Sequence, residues 1–221
     1  MRLESERLVL RPWTHHPDEL DRLANLYSRP SLVRFLGVVR EPVGRMVDDW
    51  AIRMAADPRQ VIAAIEVRET GMIAGTVLFN LLPGEHHMEV GWHLHPDSEG
   101  HGYATEAGRM VIQRGFSLGV PEVFALVVPK NVRSQRVCRR LGMTHLGRTT
   151  RYHDTEYELF HLVAPGRAWP GLRSAGSTAT GATMEGGVRR APGPAPAEAG
   201  ASSTAPELRN SVARVRQAAR S

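Results

Sequence analysis

A single cysteine, Cys138, stands in a chain of 221 residues. One thiol cannot close an internal disulfide, so a disulfide-stapled secreted scaffold is excluded and a cytoplasmic enzyme is expected. No apolar run approaches the ~20 residues that a membrane-spanning helix needs, so no membrane partner is expected. The opening stretch MRLESERLVLRPW mixes charge into its apolar residues and shows no signal-peptide core. A strong basic bias is also missing from most of the chain. The formal net charge is +5, but from Pro165 onward eight arginines stand against three glutamates, and this excess accounts for all of it. The rest is neutral, so nucleic acid is not expected as a partner of the folded part.

What is present is enough apolar sequence for one core, 42% of the residues, with little left for a second domain. The spacing predicts a strand over Leu8–Pro12 and helices over Asp18–Tyr27, Leu32–Leu36 and Pro42–Ala55. Strands follow over Val61–Val67, Met72–Leu81 and the run ending at His95, with turns at Glu69–Gly71 and Pro83–Gly84. Beyond them come a helix from about Tyr103, a strand at Val120–Val128, and a helix at Asn131–Leu141 stopped by Gly142. A last hairpin, Met143–Tyr152 and Glu156–Val163, turns at His153-Asp154. From Pro165 to Pro206 the sequence is rich in Ala, Gly, Pro, Ser and Thr and cannot bury enough surface to order itself. Glu207–Arg220 could form a basic amphipathic turn or a solvated tail. The expected division is a folded domain over 1–164 and a disordered tail over 165–221.

The densest pattern is EVGWHLHPDSEGHGYATEAGRMVIQRGF, residues 89–116. Glu89, Gly91, His93 and His95 alternate with Val90, Trp92 and Leu94, the period of a strand. Pro96 and Asp97 end it, and Gly100 and Gly102 precede a helix. A glycine turn at a helix start leaves backbone N–H groups without intrahelical partners, at the positive end of the helix dipole. That combination is a phosphate cradle. Histidines 86, 87, 93, 95 and 101 cluster in sequence, but with no Cys₂His₂ or HExxH spacing, so no metal is expected. Asn131 is placed to cap its helix. Trp13 and Trp50 read as core.

Five segments, ERLVLRPW (6–13), MIAGTVLFN (72–80), MEVGWHLHP (88–96), EGHGYATEA (99–107) and NVRSQRVCRRLGM (131–143), resemble in their order the GNAT superfamily of acetyl-CoA-dependent N-acetyltransferases. Within it the chain is most similar to the RimJ/RimL-type branch of ribosomal-protein alanine acetyltransferases. The resemblance covers about residues 3–164. It implies an α/β (α+β) GNAT fold: a mixed, mostly antiparallel central sheet splayed in the middle and flanked by helices. It implies acetyl-CoA as co-substrate, with the pantetheine arm along Trp92, His93 and Leu94. The pyrophosphate would lie on Gly100, His101, Gly102, Tyr103, Ala104 and Thr105, and Asn131 and Ser134 would lie near the pantetheine and the thioester sulfur. Glu99 departs from the family's loop pattern by putting a carboxylate near phosphate.

The resemblance also implies direct attack of a primary amine on the thioester, with no enzyme nucleophile. Glu89 is then the candidate general base, and His93 a second one. A strand N–H would stabilise the oxyanion. Cys138 stands where many members carry an acidic tyrosine, so Ser134, Tyr152 or no group at all remains for the leaving thiolate. Cys138 itself reads as a small buried residue. The acceptor side would draw on Tyr27–Leu36 and Arg151-Tyr152-His153. A small-molecule or peptide amine is expected as partner, and a monomer or homodimer as the assembly. Transfer of a larger acyl group, or a non-catalytic acyl-CoA-binding module, remain as other readings.

Overall fold

The computed structural model describes residues 1–82, 86–152 and 155–167. The Pro83–Gly84 turn, the His153-Asp154 tip and the tail from 168 onward lie outside the described residues. The strands are β1 (Leu3–Glu4), β2 (Leu8–Arg11), β3 (Val61–Val67), β4 (Ile73–Leu81), β5 (Met88–Leu94), β6 (Glu122–Val127), β7 (Thr144–Thr149) and β8 (Tyr157–Val163). The helices are α1 (Pro17–Ser28), α2 (Pro30–Leu36), α3 (Val43–Ala56), α4 (Tyr103–Ser117) and α5 (Val132–Arg140).

One sheet orders the strands β1-β2-β3-β4-β5-β6-β8-β7. Every neighbouring pair is antiparallel except β5 and β6, which run parallel. The sheet is therefore mixed and mostly antiparallel, as the resemblance implies. β3 shows why its sequence, VIAAIEV, hardly alternates. Val61, Ala63, Ile65 and Val67 pack on the α4 side, while Ile62 and Ala64 pack on the side of Trp50, Leu23 and Leu26. A strand covered on both faces reads as a continuous apolar run.

The first core layer lies between the sheet and α4, where Ala107, Val111 and Ile112 meet Val77, Phe79 and Val90. Gly115 of α4 lets the helix sit close. A Cβ there would lie 2.4 Å from the ring of Phe79. The second layer lies on the opposite face and unites α1 and α3 with Trp13 and Leu78. Trp13 and Trp50 are core residues, 5% and 2% exposed, as expected. A smaller cluster joins Leu82, Phe124, Tyr152 and Leu159.

Two elements go beyond the sequence reading. β1 is a two-residue strand paired to β2, too short to show a period. Pro96–Ser98 forms a single 3₁₀ turn, which links the end of β5 to the glycine loop.

Candidate active site

β5 and β6 pair only at Met88↔Val123 and Glu89↔Phe124. Beyond Glu89 the two strands part, and an open cleft lies between them. The other edge of β5 stays zipped to β4 from Leu81↔Met88 to Gly75↔Leu94. Leu82 N donates to His87 O at 2.9 Å, and His95 N donates to Ala74 O at 2.9 Å. Both ends thus turn odd-numbered residues of this edge toward β4. Since backbone groups alternate sides along a strand, the N–H and C=O of Val90, Trp92 and Leu94 face the gap. An extended ligand arm could pair with them as a strand would. Trp92 and Leu94 have this orientation. His93 differs: its backbone faces Thr76 on β4, so only its side chain is available to the site.

The loop after β5 brings Gly100 (φ +85°) and Gly102 (φ +83°) to the start of α4, both in the left-handed region that glycine adopts without strain. Thr105 N and Glu106 N donate to Gly102 O at 3.0 and 3.1 Å. The N–H groups of Gly102, Tyr103 and Ala104 therefore precede the first helical bonds. Arg7 clamps this segment from β2. It donates to His101 O at 3.1 Å, pairs with Glu106 at 2.5 Å and lies 5.4 Å over the Tyr103 ring. Arg140 donates to Thr105 Oγ1 at 3.2 Å. The odd carboxylate of the loop, Glu99, is ion-paired with Arg133 of α5. Its charge is met by a guanidinium, and the loop remains suited to an anion.

α5 forms the far wall. Asn131 Oδ1 accepts from Ser134 N at 3.1 Å, so it caps the helix. Trp92 Nε1 donates to Ser134 Oγ at 3.3 Å across the cleft. An indole N–H is a donor only, so the serine oxygen is the acceptor and its own proton is left for another partner. Gly108 of α4 packs against Leu141, whose Cδ1 would lie 3.1 Å from a Cβ there, while the Trp92 ring would be in ordinary contact at 3.7 Å. Cys138 is wholly buried, and burial pushes its thiol up to about 12. It is a packing residue at neutral pH.

The α1–α2 face of β5 carries Glu89, Gly91 and His93 together, and all three line the cleft. Beside them on β4 lie Asn80, opposite Glu89, and Leu78, opposite Gly91. His93 Nδ1 lies 2.8 Å from Tyr27 Oη. Burial raises the Tyr27 hydroxyl above its ordinary range, so it stays protonated and can donate to the imidazole. α2 contributes Leu32, Phe35 and Leu36. Of the last hairpin, Arg151 and Tyr152 are not among the described residues lining the cleft, Tyr152 packs with Phe124 and Leu159, and His153 lies outside the described residues. His95 is tied down at 2.7 Å from Asn25 Oδ1 and 2.9 Å from Asp97 Oδ1. Among the described residues no group of three or more His, Cys, Asp or Glu side chains could hold a metal.

The cleft therefore unites Glu89, Trp92, His93, Asn131 and Ser134, while the loop residues Gly100–Thr105 lie at the α4 end of the same strand. Sequence reasoning misses Arg7 and Arg133; it places Tyr27 on the acceptor side, but not its contact with His93. Arg7 lies within a matching segment, yet nothing local shows that it reaches a loop ninety-odd residues away. Arg133 does carry a signal, a cation placed opposite an anomalous Glu99.

Residues 7–144 match the family described as the acetyltransferase (GNAT) domain. The chain belongs to this family and is an acetyltransferase, and members of the family use acetyl-CoA. It is 27% identical over 174 residues to the uncharacterized N-acetyltransferase YoaA of Bacillus subtilis, covering 74% of this chain and 97% of that one. It is 32% identical over 82 residues to B. subtilis YnaD, also an uncharacterized N-acetyltransferase. That match spans 37% of this chain and only about half, 48%, of YnaD. Among solved structures, an acetyltransferase from Agrobacterium tumefaciens superposes with a TM-score of 0.64 at 24% identity, over 73% of this chain and 94% of that one. The ribosomal-protein-S5-alanine acetyltransferase of Vibrio fischeri gives 0.60 at 16%, over 75% and 98%. The microcin C7 self-immunity acetyltransferase MccE, solved with acetyl-CoA and AMP, gives 0.57 at 18%, over 72% and 93%. At these identities the structural likeness concerns the fold.

Proposed function

We propose that this chain moves an acetyl group from acetyl-CoA to a primary amine, of a protein N-terminus or a small molecule, by direct attack in a ternary complex. The observation that carries this reading is the parting of β5 from β6 beyond Glu89. It leaves a row of backbone partners running from Glu89 toward a glycine loop at a helix start. We assign the chain to the RimJ/RimL-type branch on its NVRS motif at Asn131–Ser134 and its glycine loop, with residues 1–164 as the transferase domain and the cytoplasm as its place of action.

The gap-facing backbone of Val90, Trp92 and Leu94 is suited to an amide-bearing arm, and the N–H groups of Gly102, Tyr103 and Ala104 are suited to a pyrophosphate. Acetyl-CoA supplies a thioester that an amine can attack without a covalent enzyme intermediate. Glu89 takes the proton that the substrate ammonium must lose, directly or through a water. An N–H of the β5 edge holds the negative charge that develops on the carbonyl oxygen. As the C–N bond forms and the C–S bond breaks, the Ser134 hydroxyl, its oxygen already engaged by Trp92, offers its proton to the departing sulfur.

Two measurements test this. Glu89→Gln should remove an ionisation from the pH profile of kcat/KM; an unchanged profile refutes the base assignment. Gly102→Glu forces a side chain into a left-handed position and a carboxylate into the cradle, so calorimetry should show acetyl-CoA binding weakened. Undiminished binding would refute the loop assignment.

A further inference from the structure

We infer that the acceptor is a primary amine carried on an apolar and otherwise uncharged group, and that α2 is the element that selects it. This rests on the acetyl-transfer reading above and narrows its substrate.

The acceptor half of the cleft lies on the Glu89 face of the sheet. Leu32, Phe35 and Leu36 of α2 stand opposite Leu78 of β4, and Gly91 leaves the floor between Glu89 and His93 without a side chain. Among the described residues lining the cleft, Glu89 is the sole carboxylate, and none is a lysine or an arginine. The nearest cation on α2, Arg34, is exposed and lies 4.5 Å over the ring of Phe35, outside the lining.

Charge complementarity follows from this set. One ammonium finds one carboxylate. A second ammonium, as in a polyamine, would be desolvated against leucines with no second carboxylate among the described lining residues, which is strongly disfavoured. A free amino acid would bring a carboxylate beside Glu89 with no arginine or lysine among the described lining residues to receive it. An apolar substituent next to the amine gains the contact of Phe35 and the leucines instead. An N-terminal residue with an apolar side chain and a small apolar amine share this chemistry.

The test is a panel of amines assayed singly at saturating acetyl-CoA, with product followed by mass spectrometry. It comprises phenylalaninamide, 2-phenylethylamine, a pentapeptide amide beginning with Phe, glycinamide, free phenylalanine and spermidine. The first three should exceed free phenylalanine and spermidine in kcat/KM by tenfold or more. A peptide amide well above phenylalaninamide identifies a protein N-terminus as the source, and equality identifies a small molecule; either supports the inference. Spermidine or free phenylalanine matching the apolar amines overturns it and leaves acetyl transfer standing. No product from any amine, with acetyl-CoA bound by calorimetry, overturns acetyl transfer and this inference together. Phe35→Ala separates pocket from fold. The phenylalaninamide-to-glycinamide ratio of kcat/KM should fall about tenfold, the scale of lost apolar pocket contacts, with the Kd for acetyl-CoA unchanged. An unchanged ratio would overturn the role of α2.

Discussion

Three side chains at the cleft invite separate tests. Glu89→Gln should lower kcat by about 10²–10⁴-fold, the usual contribution of a positioned acid or base, and pH-resolved initial rates would show it. Trp92→Phe keeps an aromatic body but loses the N–H that fixes Ser134 at 3.3 Å. Its kcat should fall by more than its Kd for acetyl-CoA rises, and equal changes would mean that the indole serves packing alone. Cys138, with a thiol pushed up to about 12 by burial, should resist iodoacetamide at pH 8 until the protein unfolds. Stoichiometric labelling of the native protein would contradict its burial. At this scale the sequence is informative where chemistry is local. The Asn131 cap and the buried Cys138 follow from spacing and residue type. The Tyr27–His93 contact does not, because it joins an α1 residue to β5 through the fold.

Among the elements, the glycine loop with α4, and the tie that holds α1 beside it, make distinct predictions. Gly115→Ala would place a Cβ 2.4 Å from Phe79 Cζ and 2.6 Å from Cε1. Both groups are in the core, so overpacking should cost about 1–3 kcal/mol, read as a lower Tm. Arg22 forks onto Asp97 with two contacts of 2.9 Å, and these hydrogen bonds hold the Asp97 carboxyl well below the usual carboxylate range. A lowered folded-state pKa stabilises the protein above the unfolded value, near 3.9 for Asp. That stability disappears as pH falls through the folded value. Asp97→Asn should therefore reduce stability at neutral pH and flatten its loss under acid, as urea melts at several pH values would show. Most element boundaries are legible within a residue or two. β3 is legible in full because it is apolar, β-branched and bounded by polar residues. The Pro96–Ser98 turn is not, because a 3₁₀ turn leaves no period in sequence.

At the level of the whole molecule, the functional feature is an absence of pairing. The fold places one parallel pair in a sheet that is otherwise antiparallel, and that pair opens after two residues. Local sequence cannot reveal this. Met88–Leu94 reads as an ordinary strand, and nothing within it shows that β6, paired along its other edge to β8, meets it at only two positions. Only the order of the five family segments points to it. The charge balance is a whole-chain property that does read directly, since the basic excess sits after Pro165 and the transferase part is neutral.

The measurement that bears most directly on this account is amine-dependent thiol release. Enzyme and acetyl-CoA would be mixed with phenylalaninamide in the presence of a thiol reagent, and the wild type compared with Glu89→Gln. The account predicts release that saturates in both substrates and falls at least a hundredfold in the variant. Release that does not depend on the amine, or that proceeds equally fast in Glu89→Gln, would contradict it.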